Sequence, residues 1–374
     1  MRLILAATVL VDHAFYLGGF ARFELGGAST PGTLAVYGFF GISGYLITGS
    51  ALRSAPGSFL RHRFLRIFPG FWAALAVTAF AIAPLAFLLR ADSTDCRLGC
   101  FFSSENGPVE YVWRNAALWI FQPSISGTPA NTYLPDVWNG SLWTLSFEFG
   151  AYLIVLGLAL VGLLRRRRAI LALTGALWLT LIWATVLPVS NTTINFFSQP
   201  VLAPAMMLLP IFFAGATLRL YRDRIPDSAA LAAASLGAAV VVMMMPIGAS
   251  APGLSLTSGG IAGPLLVYPV LWLGAHLRET RIGRRNDYSY GVYVYAFPVT
   301  QFLAILGLTS IGWPVFVAAT MGLTGLLAVA SWKLIERPAM GARSQRLFSR
   351  ASTPARRASP VPGRRGPAPT RSSP

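Results

Sequence analysis

The sequence predicts an all-α integral membrane protein, a bundle of about ten transmembrane helices with both termini in the cytoplasm. Three observations carry that expectation. Of 374 residues, 55% are hydrophobic and only 11% charged, with a mean hydropathy of +0.59, whereas soluble domains carry roughly 25% charged residues. Long apolar runs recur from residue 4 to residue 335. In lipid only helices and closed barrels satisfy their own backbone hydrogen bonds, and these runs are too long and continuous for barrel strands. Finally, the basic residues gather between alternate runs, as an excess of Lys and Arg in cytoplasmic loops requires.

An apolar core of ~30 Å needs about 20 residues of helix, and segments of that length can be placed in order. The first, 3–20, follows Arg2; it lacks a cleavage site and holds a histidine, so it reads as a retained helix and not a signal peptide. The second (34–52) and third (68–90) are joined by a stretch holding Arg53, Arg61, Arg63 and Arg66. A long outer segment, 91–139, leads to the fourth (140–163), which Arg165 to Arg168 separate from the fifth (169–188). The sixth (200–218) and seventh (228–247) flank Arg219, Arg222 and Arg224, and the eighth (259–277) and ninth (289–309) flank Arg278, Arg281, Arg284 and Arg285. The tenth, 312–334, ends at Lys333 and Arg337. With Arg2 counted inside, 26 of the 30 basic residues lie on the cytoplasmic side, and 18 still do when eight tail arginines are set aside.

That distribution accounts for the net charge of +17 without nucleic acid. Residues 1–338 form the membrane domain. The remainder, 339–374, is dominated by Pro, Ser, Ala and Arg without apolar periodicity; it reads as a disordered basic cytoplasmic tail, able to rest on anionic lipid. Cys96 and Cys100 lie in the outer segment, either as a disulfide closing a small loop or as two thiols near the membrane surface. Two such ligands are too few for a metal site. One lysine against 29 arginines points to a GC-rich bacterial genome, and so to a multi-pass protein of the bacterial inner (cytoplasmic) membrane.

Ionisable groups inside spans are costly and mark functional candidates. Here they are Asp12 and His13 in the first span and Glu148 in the fourth. His13 lies ~16 Å along the helix from Arg2, and Glu148 ~13 Å below Asn139. Across ~30 Å of core these depths nearly coincide, so imidazole and carboxylate can meet if the two helices are neighbours. Such a pair suits a general base with an orienting partner, or a structural hydrogen bond between helices. Asp12, ~100° round the helix, serves a different contact. Arg63 and Arg66 share a helical face, where guanidinium forks suit a phosphate-bearing cytoplasmic ligand or anchor the topology.

Taken in order, these pieces resemble the acyltransferase 3 family of multi-spanning membrane enzymes. Arg2 and His13 have the family's ten-residue gap, with Val9 before the histidine; "FFGISGYLI", Phe39 to Ile47, matches its second-helix phrase. "RFLR", Arg63 to Arg66, matches R-x-x-R, and "NGSLWTLSFEFGAYL", Asn139 to Leu153, is similar to N-x-S-L-W-x-L-x-x-E-x-x-x-Y. "SYGVYVYAFPV" and "WKLIERPA" look like its last two landmarks. The likeness covers residues 2 to about 339. Members commonly have a short cytoplasmic lead before the arginine, which implies a start upstream of Met1. Tyr37 stands where many have aspartate, and Ala296 where many have histidine.

The resemblance implies transfer of an acyl group, usually acetyl, from cytoplasmic acyl-CoA, a donor substrate and not a bound cofactor, to a hydroxyl of a carbohydrate or glycolipid acceptor. Within it, His13 is the base or acyl relay with Glu148 assisting, and Arg2, Arg63 and Arg66 hold the donor. Asn139 and Ser141 are candidate acceptor contacts, with helix capping as the alternative. Tyr290 belongs to an aromatic stretch that lines the acceptor path or simply packs. A transporter or flippase that couples protons through His13 and Glu148 is the competing class.

Overall fold

The computed structural model describes residues 1–21, 23–26, 29–89, 98–186, 202–251, 254–277 and 286–341. Each of the ten apolar runs contains a helix. In chain order the helices are α1 (Arg2–Leu17), α2 (Pro31–Ala51), α3 (Pro56–Leu88), α4 (Leu98–Ser103), α5 (Pro108–Asn115), α6 (Trp143–Leu160), α7 (Arg167–Val186), α8 (Leu202–Leu220), α9 (Ala229–Met244), α10 (Ser258–His276), α11 (Ser289–Ile305) and α12 (Trp313–Gly341). Seven of them, α2, α3, α6, α7, α8, α10 and α12, are long and apolar enough to cross a membrane. The other apolar helices, α1, α9 and α11, have 16, 16 and 17 residues. Among the described residues the paired strands form a short antiparallel hairpin, β1 (Gly248–Ala251) and β2 (Leu254–Thr257), between α9 and α10. Cys100 is held in a disulfide; Cys96 and the tail beyond residue 341 lie outside the described residues.

Prolines set several boundaries. Pro31 stands at the start of α2 behind Thr30, whose hydroxyl accepts the Thr33 N–H at 3.2 Å; a residue without an N–H costs nothing there, and the cap satisfies an orphan donor. Pro56 likewise opens α3 twelve residues before its apolar run. Arg63 and Arg66 therefore lie within the helix and not ahead of it. Two π turns interrupt the α-helices, Thr78–Ile82 within α3 and Trp332–Glu336 within α12.

Lipid gives helices no hydrophobic reason to associate, so close backbone approach through small residues decides who pairs. The most extensive pairing joins α2 to α8. A Cβ on Gly44 would stand 1.8 Å from the Phe212 carbonyl oxygen, and one on Gly215 2.1 Å from that of Gly41. Around this seam α1 packs on α2, α11 and α12, and α3 packs on α6, α11 and the π turn of α12. Leu179, Trp183, Val241 and Leu326 stand exposed on the outside of the bundle, the surface that lipid covers.

The seam makes a test. Gly44→Ala places a methyl against backbone that cannot step aside and costs about 1–3 kcal/mol or more, whereas Gly237→Ala in α9 meets nothing within 4 Å. Thermal unfolding of the detergent-solubilised protein, followed by size-exclusion fluorescence, reads a lowered midpoint for the first and none for the second. Equal midpoints would contradict the close approach of α2 and α8.

Candidate active site

Arg63 and Arg66 sit one turn apart on α3 and are buried, with 9% and 8% exposure. A charge taken out of water needs partners, and Arg66 has two. Its Nη2 lies 2.6 Å from Asp287 Oδ2 and its Nη1 3.4 Å from Glu336 Oε2. Asp287 Oδ2 also lies 3.6 Å from Nη1 of Arg2, while Oδ1 accepts the Ser289 hydroxyl at 2.5 Å. The second oxygen of Glu336 accepts the Ser331 hydroxyl at 2.9 Å. Residues five apart align in a π turn, so the wide turn of α12 is what brings Ser331 to Glu336. Burial works against ionisation of Asp287, yet Arg66, Arg2 and the Ser289 bonds outweigh it and hold the carboxyl at about 2.

Beside this cluster opens a cavity with ≈ 650 Å³ of empty space, whose walls include Arg2, Arg63, Arg66, Glu148, Tyr152 and Tyr293. Helix α6 presents Thr144, Glu148 and Tyr152 to it at four-residue spacing. One oxygen of Glu148, Oε1, accepts both the Ser43 hydroxyl at 2.6 Å and the Tyr152 phenol at 2.5 Å. The serine of "FFGISGYLI" and the glutamate and tyrosine of the fourth-span phrase thus meet at a single atom.

His13 lies eleven residues after Arg2, which is three helical turns, so the two face one side of α1 at opposite ends. Its Nδ1 is 3.4 Å from the Ser141 hydroxyl, and its ring meets Phe297 edge-on at 5.1 Å. The carbonyl of Ser141 accepts the Tyr293 phenol at 3.0 Å, and that phenol lies 2.5 Å from the Thr144 hydroxyl. Thr144 and Tyr293 are walls of the cavity. Ser141 is therefore the joint between the cavity and His13.

Several expected roles change here. The hydrogen bonds of Glu148 go to Ser43 and Tyr152, so it does not meet His13; Ser141 does. A depth count fixes neither tilt nor axial offset, and the seven residues from Ser141 to Glu148 are worth ~10 Å along a helix. Asn139 has both ends of its amide engaged, Nδ2 donating to the Val294 carbonyl at 2.8 Å and Oδ1 accepting the Ser141 N–H at 3.2 Å; it shapes the turn before α6. Tyr290 lies at the arginine end, its ring 5.5 Å from the Arg66 guanidinium and its phenol donating to the Ile67 carbonyl. Asp12 accepts the Thr30 hydroxyl at 2.9 Å and so ties α1 to the cap of α2. Ala296 packs with Ala6, Leu10 and Ala328. Asp287 and Glu336 belong to the site although sequence reasoning passed over both; an acidic residue just past the tenth apolar run was the available signal for Glu336. Among the described residues, no group of three His, Cys, Asp or Glu is placed to hold a metal ion.

Comparison with known proteins adds chemistry to this geometry. Residues 1–333 match the family described as "Acyltransferase domain". The chain is 29% identical over 338 residues, 90% of its length and 93% of the relative's, to an O-acetyl transferase of Shigella phage Sf6. It is 29% identical over 370 residues, 94% and 95% of the two lengths, to Nodulation protein 10 of Rhizobium leguminosarum bv. viciae. No solved structure matches.

The arginine cluster has a defined pH signature. Asp287 is held below its ordinary 3.8, so what it contributes is complete above that value and is lost as pH falls toward about 2. The difference in thermal midpoint between the protein and Asp287→Asn narrows as pH falls below about 4. A difference that stays unchanged from about pH 5 down to about pH 2 would contradict the ion pair.

Proposed function

The chain belongs to the acyltransferase family, and from that membership we propose a membrane O-acyltransferase that moves an acyl group, in the first instance acetyl, from cytoplasmic acyl-CoA to a hydroxyl of a sugar, cell-envelope glycan or secreted glycoside. The observation that best supports this reading is the chain of contacts that runs from Tyr293 in the wall of the arginine-lined cavity through Ser141 to His13. In this reading the apolar helices make ten crossings of a bacterial inner membrane, with both termini and the arginine end on the cytoplasmic side. The exposed arginines between α6 and α7 then lie with the cytoplasm, as basic loops should.

Acyl-CoA enters at the arginine end, and its thioester extends toward Ser141. The imidazole of His13 takes the proton of the acceptor hydroxyl as that oxygen adds to the thioester carbonyl. The tetrahedral oxyanion collapses, the C–S bond breaks, and the departing thiolate takes its proton back from the imidazolium. The Ser141 contact at Nδ1 fixes the ring that does this. A two-step variant acylates His13 first and then passes the group outward. Glu148 assists from the cavity wall, where its Oε1 accepts the hydroxyls of Ser43 and Tyr152.

The test uses the full chain in nanodiscs with labelled acetyl-CoA and extracts of envelope glycans and secreted glycosides. His13→Ala loses acyl transfer by about 10²–10⁴-fold, the usual worth of a general base, while the protein stays folded. Full transfer by that variant would remove His13 from the chemistry. A proton-coupled exporter, the competing class, leaves acyl-CoA unconsumed and releases no CoA thiol. Mass spectrometry of the same extracts, with and without the gene, identifies the acceptor by the acyl mass that disappears.

A further inference from the structure

An acyl group held at His13 can pass to an acceptor hydroxyl or be lost to water, and one stretch of chain stands where water would enter. Residues 133–138, just before α6, lie across the turn of α1 that follows His13. The Tyr133 ring meets Tyr16 edge-on at 5.2 Å, and Val137 is buried in one cluster with Leu17 and Phe297. Leu17 comes one turn after His13, and Phe297 is the ring that His13 touches. Solvent meets the far face of the stretch at Tyr133, Pro135 and Asp136, while Val137 and Trp138 are buried beneath it. The stretch therefore forms a roof over the His13 end of the site.

A glutamine ties this roof down. Gln301 lies four residues after Phe297 on the same face of α11 and is 0% exposed. Its Nε2 donates to the carbonyls of Leu134 at 2.7 Å and Val137 at 2.9 Å. Those two acceptors fix which end of the amide is nitrogen, and they leave Oε1 buried without a partner among the described residues. A buried amide oxygen that makes no hydrogen bond is unfavourable, so packing alone would be served better by an apolar side chain of the same length. What the amide adds is its grip on the roof. The adjoining residue is held as well, since the Trp138 ring N–H donates to the Thr128 hydroxyl at 3.0 Å.

We propose that Gln301 is a positioning residue that holds residues 133–138 closed over His13, and so sets how the acyl group divides between acceptor and water. The inference rests on the acyltransferase reading above. With the roof loosened, water takes the part of the acceptor. Its oxygen adds to the thioester carbonyl as His13 takes its proton, the C–S bond breaks, and the thiolate recovers that proton to leave as CoA thiol, with acetic acid as the other product.

The experiment measures a ratio, so it is insensitive to the fraction of active protein. The full chain in nanodiscs receives labelled acetyl-CoA with the glycan and glycoside extracts, and labelled acetate is counted against label in acylated product. Gln301→Met keeps the length of the side chain and removes the donor; it raises the ratio of acetate to product by about tenfold or more, the factor that the loss of a buried hydrogen bond corresponds to. A role confined to stability lowers both outputs together and leaves the ratio as it was. His13→Ala added to Gln301→Met brings acetate down to the level of empty nanodiscs. An unchanged ratio in Gln301→Met, or acetate that persists without His13, overturns the proposal. Should Gln301→Met not fold, Val137→Ala loosens the roof from its packed side and raises the same ratio; no rise there overturns the proposal equally. An unmodified chain that leaves acetyl-CoA intact is a different failure, since it defeats the acyltransferase reading, and the role of Gln301 falls with it.

Discussion

A guanidinium buried inside a bundle of apolar helices constrains the rest of this structure. Arg66 cannot be buried there without carboxylates, and it draws them from two distant parts of the chain, Asp287 just before α11 and Glu336 in α12. Such a cluster is weak evidence for stability, because replacing it with well-packed apolar groups is often neutral; its removal piece by piece is what costs, since each piece leaves a buried charge alone. Its worth lies in position. It fixes α3 against α11 and α12 at one level, and it demands the π turn that aligns Ser331 with Glu336. The cavity takes its place beside that fixed level.

From there the site is assembled from stripes, one per helix, each at helical spacing. Helix α1 gives Arg2 and His13, three turns apart on one side. Helix α6 gives Thr144, Glu148 and Tyr152, and α11 gives Tyr290, Tyr293 and Phe297. The arginine end and the His13 end are joined through Tyr293 and Ser141. This geometry separates the jobs of the two groups that depth alone would pair. Glu148 works with Ser43 and Tyr152 in the wall, and His13 works with Ser141 beyond it.

The fold was legible because lipid leaves backbone so few choices: a run of twenty apolar residues must be a helix, and each of the ten runs holds one. Boundaries were less so. The first turns of α3 carry Arg61, His62, Arg63 and Arg66, which any hydropathy reading discounts, yet Arg63 and Arg66 are buried, the latter on its ion pairs. The same cause hid Glu336, two residues beyond the expected end of the tenth span, and Asp287, which stands in a connection and offers no periodicity. The composition of the site was legible through its phrases, Ser43, Glu148, Tyr152, His13 and Arg63 among them. Its pairings were not, because a phrase records that residues belong together without saying which atoms touch.

Asp12 shows how far a physical account can replace that missing information. A carboxylate one residue from a proposed base looks like part of its chemistry, but a step of ~100° round the helix turns it toward α2. There it accepts the hydroxyl of Thr30, the residue that caps α2, and it lies at the positive end of that helix's dipole. Gly32 makes the approach feasible, since a Cβ there would fall 2.5 Å from Asp12 Oδ2. The charge is thus held where α1 meets the cap of α2, and it ties the one helix to the other.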